Sequence, residues 1–196
     1  MKFVIASDIH GSAFWCRKLM EVVEAEQPDQ LLLLGDLLYH GPRNDLPRDY
    51  APKQVIDMLS GQAHRILCVR GNCEAEVDQM VLPFPCMADC ALVSADGLTM
   101  YLTHGHLKNP ADLPPLAPGS LFLSGHTHIK ADTEVNGIRC VNPGSVSFPN
   151  DGSHSCLVYR DGMLEFRLLE ERTCTNPTAK ADGTTTTTRN TTSITA

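Results

Sequence analysis

Five short segments of the chain carry residues suited to binding divalent metal ions: Asp8-Ile9-His10-Gly11, Gly35-Asp36, Gly71-Asn72, His104-Gly105-His106 and Gly125-His126-Thr127-His128. Carboxylate and imidazole are common ligands for Mn, Fe and Zn, and an adjacent glycine lets the backbone turn tightly enough for side chains to converge. One ion does not need seven ligands. Asp8, His10, Asp36, Asn72, His104, His126 and His128 therefore point to two ions about 3.5–4 Å apart, an arrangement that clamps the attacking and leaving oxygens in phosphate ester hydrolysis. Asp36 stands alone at the second segment and is assigned the bridge, since a shared carboxylate offsets repulsion between two cations. Taken singly, each motif is weak: a lone Gly-Asp usually marks a turn, and a lone His-x-His a surface loop. Their joint occurrence in this order reverses the odds.

Apolar runs precede these segments and must position them. Phe3 to Ala6, Leu31 to Leu34, Ile66 to Val69 and Leu121 to Leu123 read as core strands that feed functional loops. Ala13 to Glu26 carries apolar residues at Phe14, Leu19, Val22 and Val23 and stops before Pro28, which predicts an amphipathic helix. A second helix is predicted over Pro52 to Leu59, stopping near Gly61. This β-α-β-α-β opening favours a mostly parallel sheet with ligand loops at the carboxyl ends of its strands. After residue 90, Asp96-Gly97, Asn136-Gly137 and Asp161-Gly162 separate short strand-like runs and predict tight antiparallel hairpins. The expected architecture is α/β: a mixed sheet, with two sheets packed together and helices outside.

Composition bounds the function. With 196 residues, 42% of them hydrophobic, the chain can bury one substantial core, so a single domain is the default. A net charge of -7 argues against a general nucleic-acid or anionic-membrane surface. The eight cysteines contain no CxxC pair, and the opening apolar run is too short for a secretory h-region or a membrane span. Reduced thiols in the cytoplasm are the expectation. From Arg172 onward, eleven of twenty-five residues are threonine and none is aromatic. The domain is therefore placed at 1–171, and residues 172–196 are read as a disordered tail.

The set resembles the calcineurin-like metallophosphoesterases, whose signature runs D-x-H, G-D, G-N-[HC], H-G-H and G-H-T-H. It is most similar to the small bacterial phosphodiesterases of the YfcE type, in Ala6-Ser7-Asp8-Ile9-His10-Gly11, His40-Gly41-Pro42-Arg43-Asn44, Val69-Arg70-Gly71-Asn72-Cys73 and Asn142-Pro143-Gly144-Ser145. The resemblance spans roughly residues 1 to 170. It implies a four-layer αββα sandwich of two mixed sheets flanked by helices, and a dinuclear centre. One metal would take Asp8, His10, Asp36 and His128; the other would take Asp36, Asn72, His104 and His126. Asp36, Asn72 and His104 are counted as catalytic as well as ligating. Manganese is a frequent activator of such enzymes, while Fe, Zn, Ni and Mg are also compatible with the ligand set.

The expected reaction is in-line attack of a metal-bridging hydroxide on phosphorus. Cys73 occupies the position where many family members carry a histidine thought to protonate the leaving group. A neutral thiol is a poorer partner for a departing alkoxide, so good leaving groups are expected to be required. A buried thiol filling space behind Asn72 is the plain alternative. Arg43 and Asn44, in a loop just after Asp36, are candidate substrate contacts, with Arg43 suited to a phosphate oxygen. His106 is read either as a residue that orients a ligand or the substrate, or as a turn histidine. Asn142 to Ser145 reads as a turn beneath the last metal-binding loop, and His64 and His154 as surface residues.

Three functions compete. The leading one is a phosphodiesterase acting on a small phosphate ester. A nucleotide pyrophosphohydrolase or phosphomonoesterase would use the same clamp. A protein-binding scaffold that kept the fold and lost the chemistry, on the pattern of the retromer subunit similar to this family, has no reason to retain every ligand. No nucleic-acid or membrane partner is expected, and a homo-oligomer is left open.

Overall fold

The computed structural model describes residues 1–170; the expected Thr-rich tail, 172–196, lies outside them. In chain order the elements are β1 (Lys2–Ala6), α1 (Ala13–Glu26), β2 (Gln30–Leu33), α2 (Pro52–Ser60), β3 (Ile66–Cys68), α3 (Glu76–Val81), β4 (Cys90–Ala95) and β5 (Leu98–Thr103). They continue with β6 (Leu121–Leu123), β7 (Lys130–Val135), β8 (Ile138–Pro143), β9 (Ser155–Arg160) and β10 (Met163–Leu168). Two five-stranded mixed sheets result, ordered β10-β9-β1-β2-β3 and β4-β5-β6-β8-β7. Parallel pairing joins β1, β2 and β3 in the first sheet and β5, β6 and β8 in the second.

The uninterrupted apolar run of β1 follows from burial on both faces. Phe3 and Ile5 point between the sheets with Leu32, Met100, Leu102, Leu121, Leu123 and Tyr159. Val4 and Ala6 point outward to meet Cys16, Leu19 and Val23 of α1 and Val55 and Leu59 of α2. The α1 helix starts where the Ser12 side chain accepts from the Trp15 amide, and ends at Gln27, which takes the left-handed conformation with φ 47°. At the start of α2, Pro52 occupies a position whose amide has no helical partner.

Each expected hairpin is present. Asp96-Gly97 joins β4 to β5, Asn136-Gly137 joins β7 to β8, and Asp161-Gly162 joins β9 to β10, with positive φ at both residues of every pair. On the outer face of the second sheet, Phe122, Ile138 and Cys140 are covered by Leu113 and Leu116 from the segment after β5. That layer is a non-helical segment, so the helices concentrate on the first sheet. Among the described residues no helix is long and apolar enough to cross a membrane.

Candidate metal centre

Every predicted ligand leaves the carboxyl end of a strand or the turn just beyond it. Asp8 and His10 follow β1, Asp36 follows β2, Asn72 follows β3, His104 follows β5, and His126 and His128 follow β6. Within each sheet these strands run parallel, so their exits gather along one edge. Backbone bonds then lock the exits together: Asp8 N donates to Gly35 O (3.1 Å), His10 N to Asp36 O (2.9 Å) and Gly125 N to His104 O (2.8 Å).

The turn at Asn142 to Ser145 fastens the same loops from below. Asn142 Nδ2 donates to Gly125 O (2.7 Å) and Thr127 Oγ1 (3.0 Å), while the hydroxyls of Ser145 and Ser147 both donate to Asp8 O at 3.0 Å.

Convergence strains the backbone. Asp8, His10, Asp36, His126 and His128 all take positive φ, between 48° and 68°. Asp and His tolerate this region better than most residues, yet a left-handed L residue still costs roughly 1–2 kcal/mol. Five such residues at one edge mark a place where the fold sustains strain to aim side chains. Close approach requires glycine at two points. A Cβ on Gly71 would lie 2.0 Å from Asp36 Oδ1, and one on Gly125 would lie 1.9 Å from Ser7 Oγ and 2.8 Å from Asp8 Oδ2.

Two carboxylates and three imidazoles form the heart of the site. Asp8 Oδ1 lies 3.1 Å from His128 Nε2, 3.6 Å from His10 Nε2 and 4.0 Å from His104 Nε2. Asp36 Oδ2 sits between His10 Nε2 (3.6 Å) and His104 Nε2 (3.4 Å). Three ligand groups with mutually close donor atoms arise: Asp8-His10-His128, Asp8-Asp36-His104 and His10-Asp36-Cys73. His126 belongs to none of these, although its ring centroid lies 5.0 Å from that of His104 and its amide donates to Asp8 Oδ2. Asn72 Oδ1 reaches His104 Nε2 at 3.0 Å.

The donor set fits cations. Nδ1 of His10, His104 and His128 lies 2.8, 2.7 and 2.8 Å from the carbonyls of Tyr39, Leu34 and Phe148. A carbonyl only accepts, so each Nδ1 carries the proton and each Nε2 of a neutral ring presents a lone pair to the centre. His10 Nε2 and His128 Nε2 then face each other at 3.3 Å, and His104 Nε2 faces a carbonyl oxygen of Asn72, whose amide nitrogen donates to Cys73 Sγ. Buried Asp8 Oδ1 has no hydrogen-bond partner. Converging lone pairs around two buried carboxylates call for positive charge.

The same demand appears in the acidities. Burial alone would draw a proton off His104, but its bond to Asp36 and the fields of Asp8 and Asp36 outweigh that and raise it to about 9. Burial would likewise raise Asp8; contacts with His10 and His128 and the field of His104 instead hold it well below the usual carboxylate range.

A cleft of about 630 Å³ opens above these groups. Arg43, Asn44, Cys73, Phe148, Asn150 and His154 are among the residues that line it. Arg43 and Asn44 are exposed there, as a substrate contact needs. Cys73 is half-buried at the cleft wall, not sequestered behind Asn72, and its amide donates to Asp36 Oδ1 at 2.8 Å. Burial, then the charge of Asp36 and a hydrogen bond to it, push its thiol far up, so it stays protonated. His106 lies beside His104 with its ring tilted by 60° and 5.3 Å between centroids, and its buried Nδ1 has no hydrogen-bond partner.

The reading of His154 as a surface residue is corrected. It is half-buried, stacks on Trp15 with centroids 3.4 Å apart, and lines the cleft. Trp15 is distant in sequence, so no local pattern announces the contact. His64, by contrast, is exposed. A further residue carried no motif signal: Glu74, whose carboxylate accepts from the amides of Asp36 (2.9 Å) and Leu37 (2.7 Å) and from that of Gly71.

Comparison with known proteins agrees with this geometry. A curated relative, phosphodiesterase YfcE of Escherichia coli strain K12, is 44% identical over 169 residues, covering 86% of this chain and 90% of the relative. The solved structure of YfcE, a phosphoesterase from E. coli, superposes with a TM-score of 0.82 at 42% identity, covering 84% of this chain and 91% of that one. An archaeal phosphodiesterase structure shares the fold, with a TM-score of 0.64 at 21% identity over 86% of this chain and all of its own. The family model for the calcineurin-like phosphoesterase superfamily domain matches residues 1–161. The chain, with its ligand loops gathered on one edge of two mixed sheets, belongs to the calcineurin-like phosphoesterase superfamily.

Proposed function

We infer that the chain is a metal-dependent phosphodiesterase that hydrolyses small phosphate diesters with two divalent ions, Mn²⁺ being the native pair. The observation that carries this reading is the convergence of three imidazole Nε2 atoms on Asp8 and Asp36 beneath an open cleft. Asp8, His10, Asp36 and His128 would hold one ion. Asp36, Asn72, His104 and His126 would hold the other, with the His126 ring drawn inward to complete the set.

When bound, the metals supply charge that polarises the phosphoryl group and a water of lowered pKa as nucleophile. The protein's part is positioning and electrostatics. Carbonyls of Tyr39, Leu34 and Phe148 fix the tautomer and direction of His10, His104 and His128. Asp36, in reach of His10 and His104, would be the carboxylate both ions share. Arg43 and Asn44, at the cleft mouth, meet non-bridging oxygens, the planar guanidinium of Arg43 matching two of them. Cys73 carries no positive charge in either protonation state and offers no cationic acid to the leaving group, which favours diesters with stable leaving groups.

The substrate is a small phosphate ester, since the cleft is about 630 Å³ and the chain carries a net charge of -7. The seven described cysteines are free thiols, which supports a reducing compartment such as the cytoplasm.

A panel of diesters, monoesters and nucleotide anhydrides, assayed with Mn²⁺ and with Asp36→Asn as the control, tests the reading. Diesters with aryl leaving groups should be cleaved fastest, and the variant should be inactive on all. Preferred cleavage of anhydrides would reassign the substrate class, and equal activity in both proteins would refute the site.

A further inference from the structure

Two of the loops that carry metal-ligand candidates belong to different strands, Asp36 after β2 and Asn72 after β3, and one side chain bridges them. Glu74 Oε2 accepts from the Asp36 amide at 2.9 Å and from the Gly71 amide, while its Oε1 accepts from the Leu37 amide at 2.7 Å. Three backbone donors converging on one carboxylate form a nest of the kind that normally cradles an external anion. Here the anion is internal and partly buried.

The geometry makes Asp36 depend on this contact. Asp36 takes a left-handed φ of 57°, and its two neighbouring exits approach so closely that a Cβ on Gly35 would lie 2.3 Å from Gly71 N. Glu74 satisfies the amides on both sides of that approach. Its own backbone is fixed in turn, because the Ala75 amide donates to Asp78 Oδ2 at 2.9 Å at the start of α3.

We propose that Glu74 is a positioning residue which holds Asp36 and Asn72 at the separation that metal binding requires. This inference rests on the reading of the site as a metal centre. Glutamine is not an equivalent side chain: it offers one oxygen to three donors, and its NH₂ group confronts at least one amide N–H. Aspartate keeps the charge but is one methylene too short to reach all three.

The test compares Mn²⁺ affinity, measured by calorimetry, in the full-length wild type, Glu74→Gln and Glu74→Asp, together with amide hydrogen exchange in the metal-free wild type. Outer partners of metal ligands typically contribute 10- to 100-fold in affinity, so Glu74→Gln should weaken Mn²⁺ binding by about that factor, with Glu74→Asp between it and wild type. The value of kcat should fall while KM for the diester stays near wild type. In the native chain, the amides of Gly71, Asp36 and Leu37 should exchange slowly and as a group.

A purely structural role would lower Tm and leave the affinity of folded protein unchanged; that result overturns the inference. Should Glu74→Gln not fold, wild-type affinity in Glu74→Asp, or unprotected amides at Gly71, Asp36 and Leu37, overturns it equally. Wild-type protein that binds no Mn²⁺ refutes the metal-centre reading itself, and so separates the two failures.

Discussion

Replacing Gly71 by alanine should disable the site while sparing the fold. Gly71 does not take a left-handed φ, so alanine can adopt its backbone conformation, and the whole penalty comes from space. The new methyl would lie 2.0 Å from Asp36 Oδ1, 2.6 Å from Asp36 N and 2.8 Å from Asp36 Cγ. Contacts below 3.0 Å are not sustained, so Asp36 and the Gly71 backbone must separate by at least 3.0 − 2.0 = 1.0 Å. Asp36 is 2% exposed and held through its own amide and Oδ1, so it cannot swing away as a flexible end would.

A misplacement of about 1 Å in a catalytic constellation costs on the order of 100-fold in rate. Overpacking of this kind costs about 1–3 kcal/mol, and at 2–4 °C per kcal/mol for a chain of this size Tm should fall by about 2–12 °C. The assay is kcat/KM on bis(p-nitrophenyl) phosphate at saturating Mn²⁺, with Tm from calorimetry. Gly162→Ala is the control, since its φ of +84° strains alanine but nothing lies within 4 Å of the added Cβ. It should lose stability without losing rate. A Gly71→Ala protein that works within threefold of wild type would refute the reasoning.

Other outcomes follow from the same geometry. With an uncharged-at-best thiol at Cys73 where a cationic acid would otherwise stand, rates should fall steeply as leaving-group pKa rises from nitrophenyl to alkyl esters, and a flat profile would contradict this. Cys73→Ser should keep the same steep dependence, whereas a flatter or steeper slope would assign the thiol a proton-transfer role. In the chelated protein, His104 is raised from 6.5 to about 9, so its contribution to stability is complete below pH 6.5 and is lost as pH rises through about 9. Asp8 and Asp36 are depressed below 3.8, so theirs is present above that value and is lost as pH falls towards their folded values. Thermal melts of metal-free protein should therefore decline between pH 6.5 and 9, and Mn²⁺ should remove that decline; a flat or rising melt over this range would count against the charge assignment.

Much of the fold is legible because its signals are local. The α1 helix runs from Ala13 to Glu26 as its spacing and Pro28 predict, and the Asp-Gly and Asn-Gly pairs sit in turns that need two positive φ values. Ligands are legible because each lies at a strand exit whose loop contains a glycine. What escapes the sequence is set by distant partners. Nothing in Ser155 to Arg160 says that β9 returns to the first sheet beside β1 instead of extending the second. The left-handed backbone of Asp8, His10, Asp36, His126 and His128 is not legible in advance, since Asp and His tolerate that region without requiring it and only tertiary convergence selects it here. Glu74 finds its amide partners at Asp36 and Leu37, and His154 its ring partner at Trp15, through tertiary packing alone.

Activity as a function of bound Mn²⁺ per chain tests the central claim most directly. The protein is stripped with a chelator, shown metal-free by elemental analysis, and titrated with Mn²⁺ while diester hydrolysis is followed. The account predicts no hydrolysis without metal and a rise that saturates at two ions per chain, with Asp36→Asn failing to recover. Hydrolysis that persists in metal-free protein, or full activity at a single ion, would contradict it.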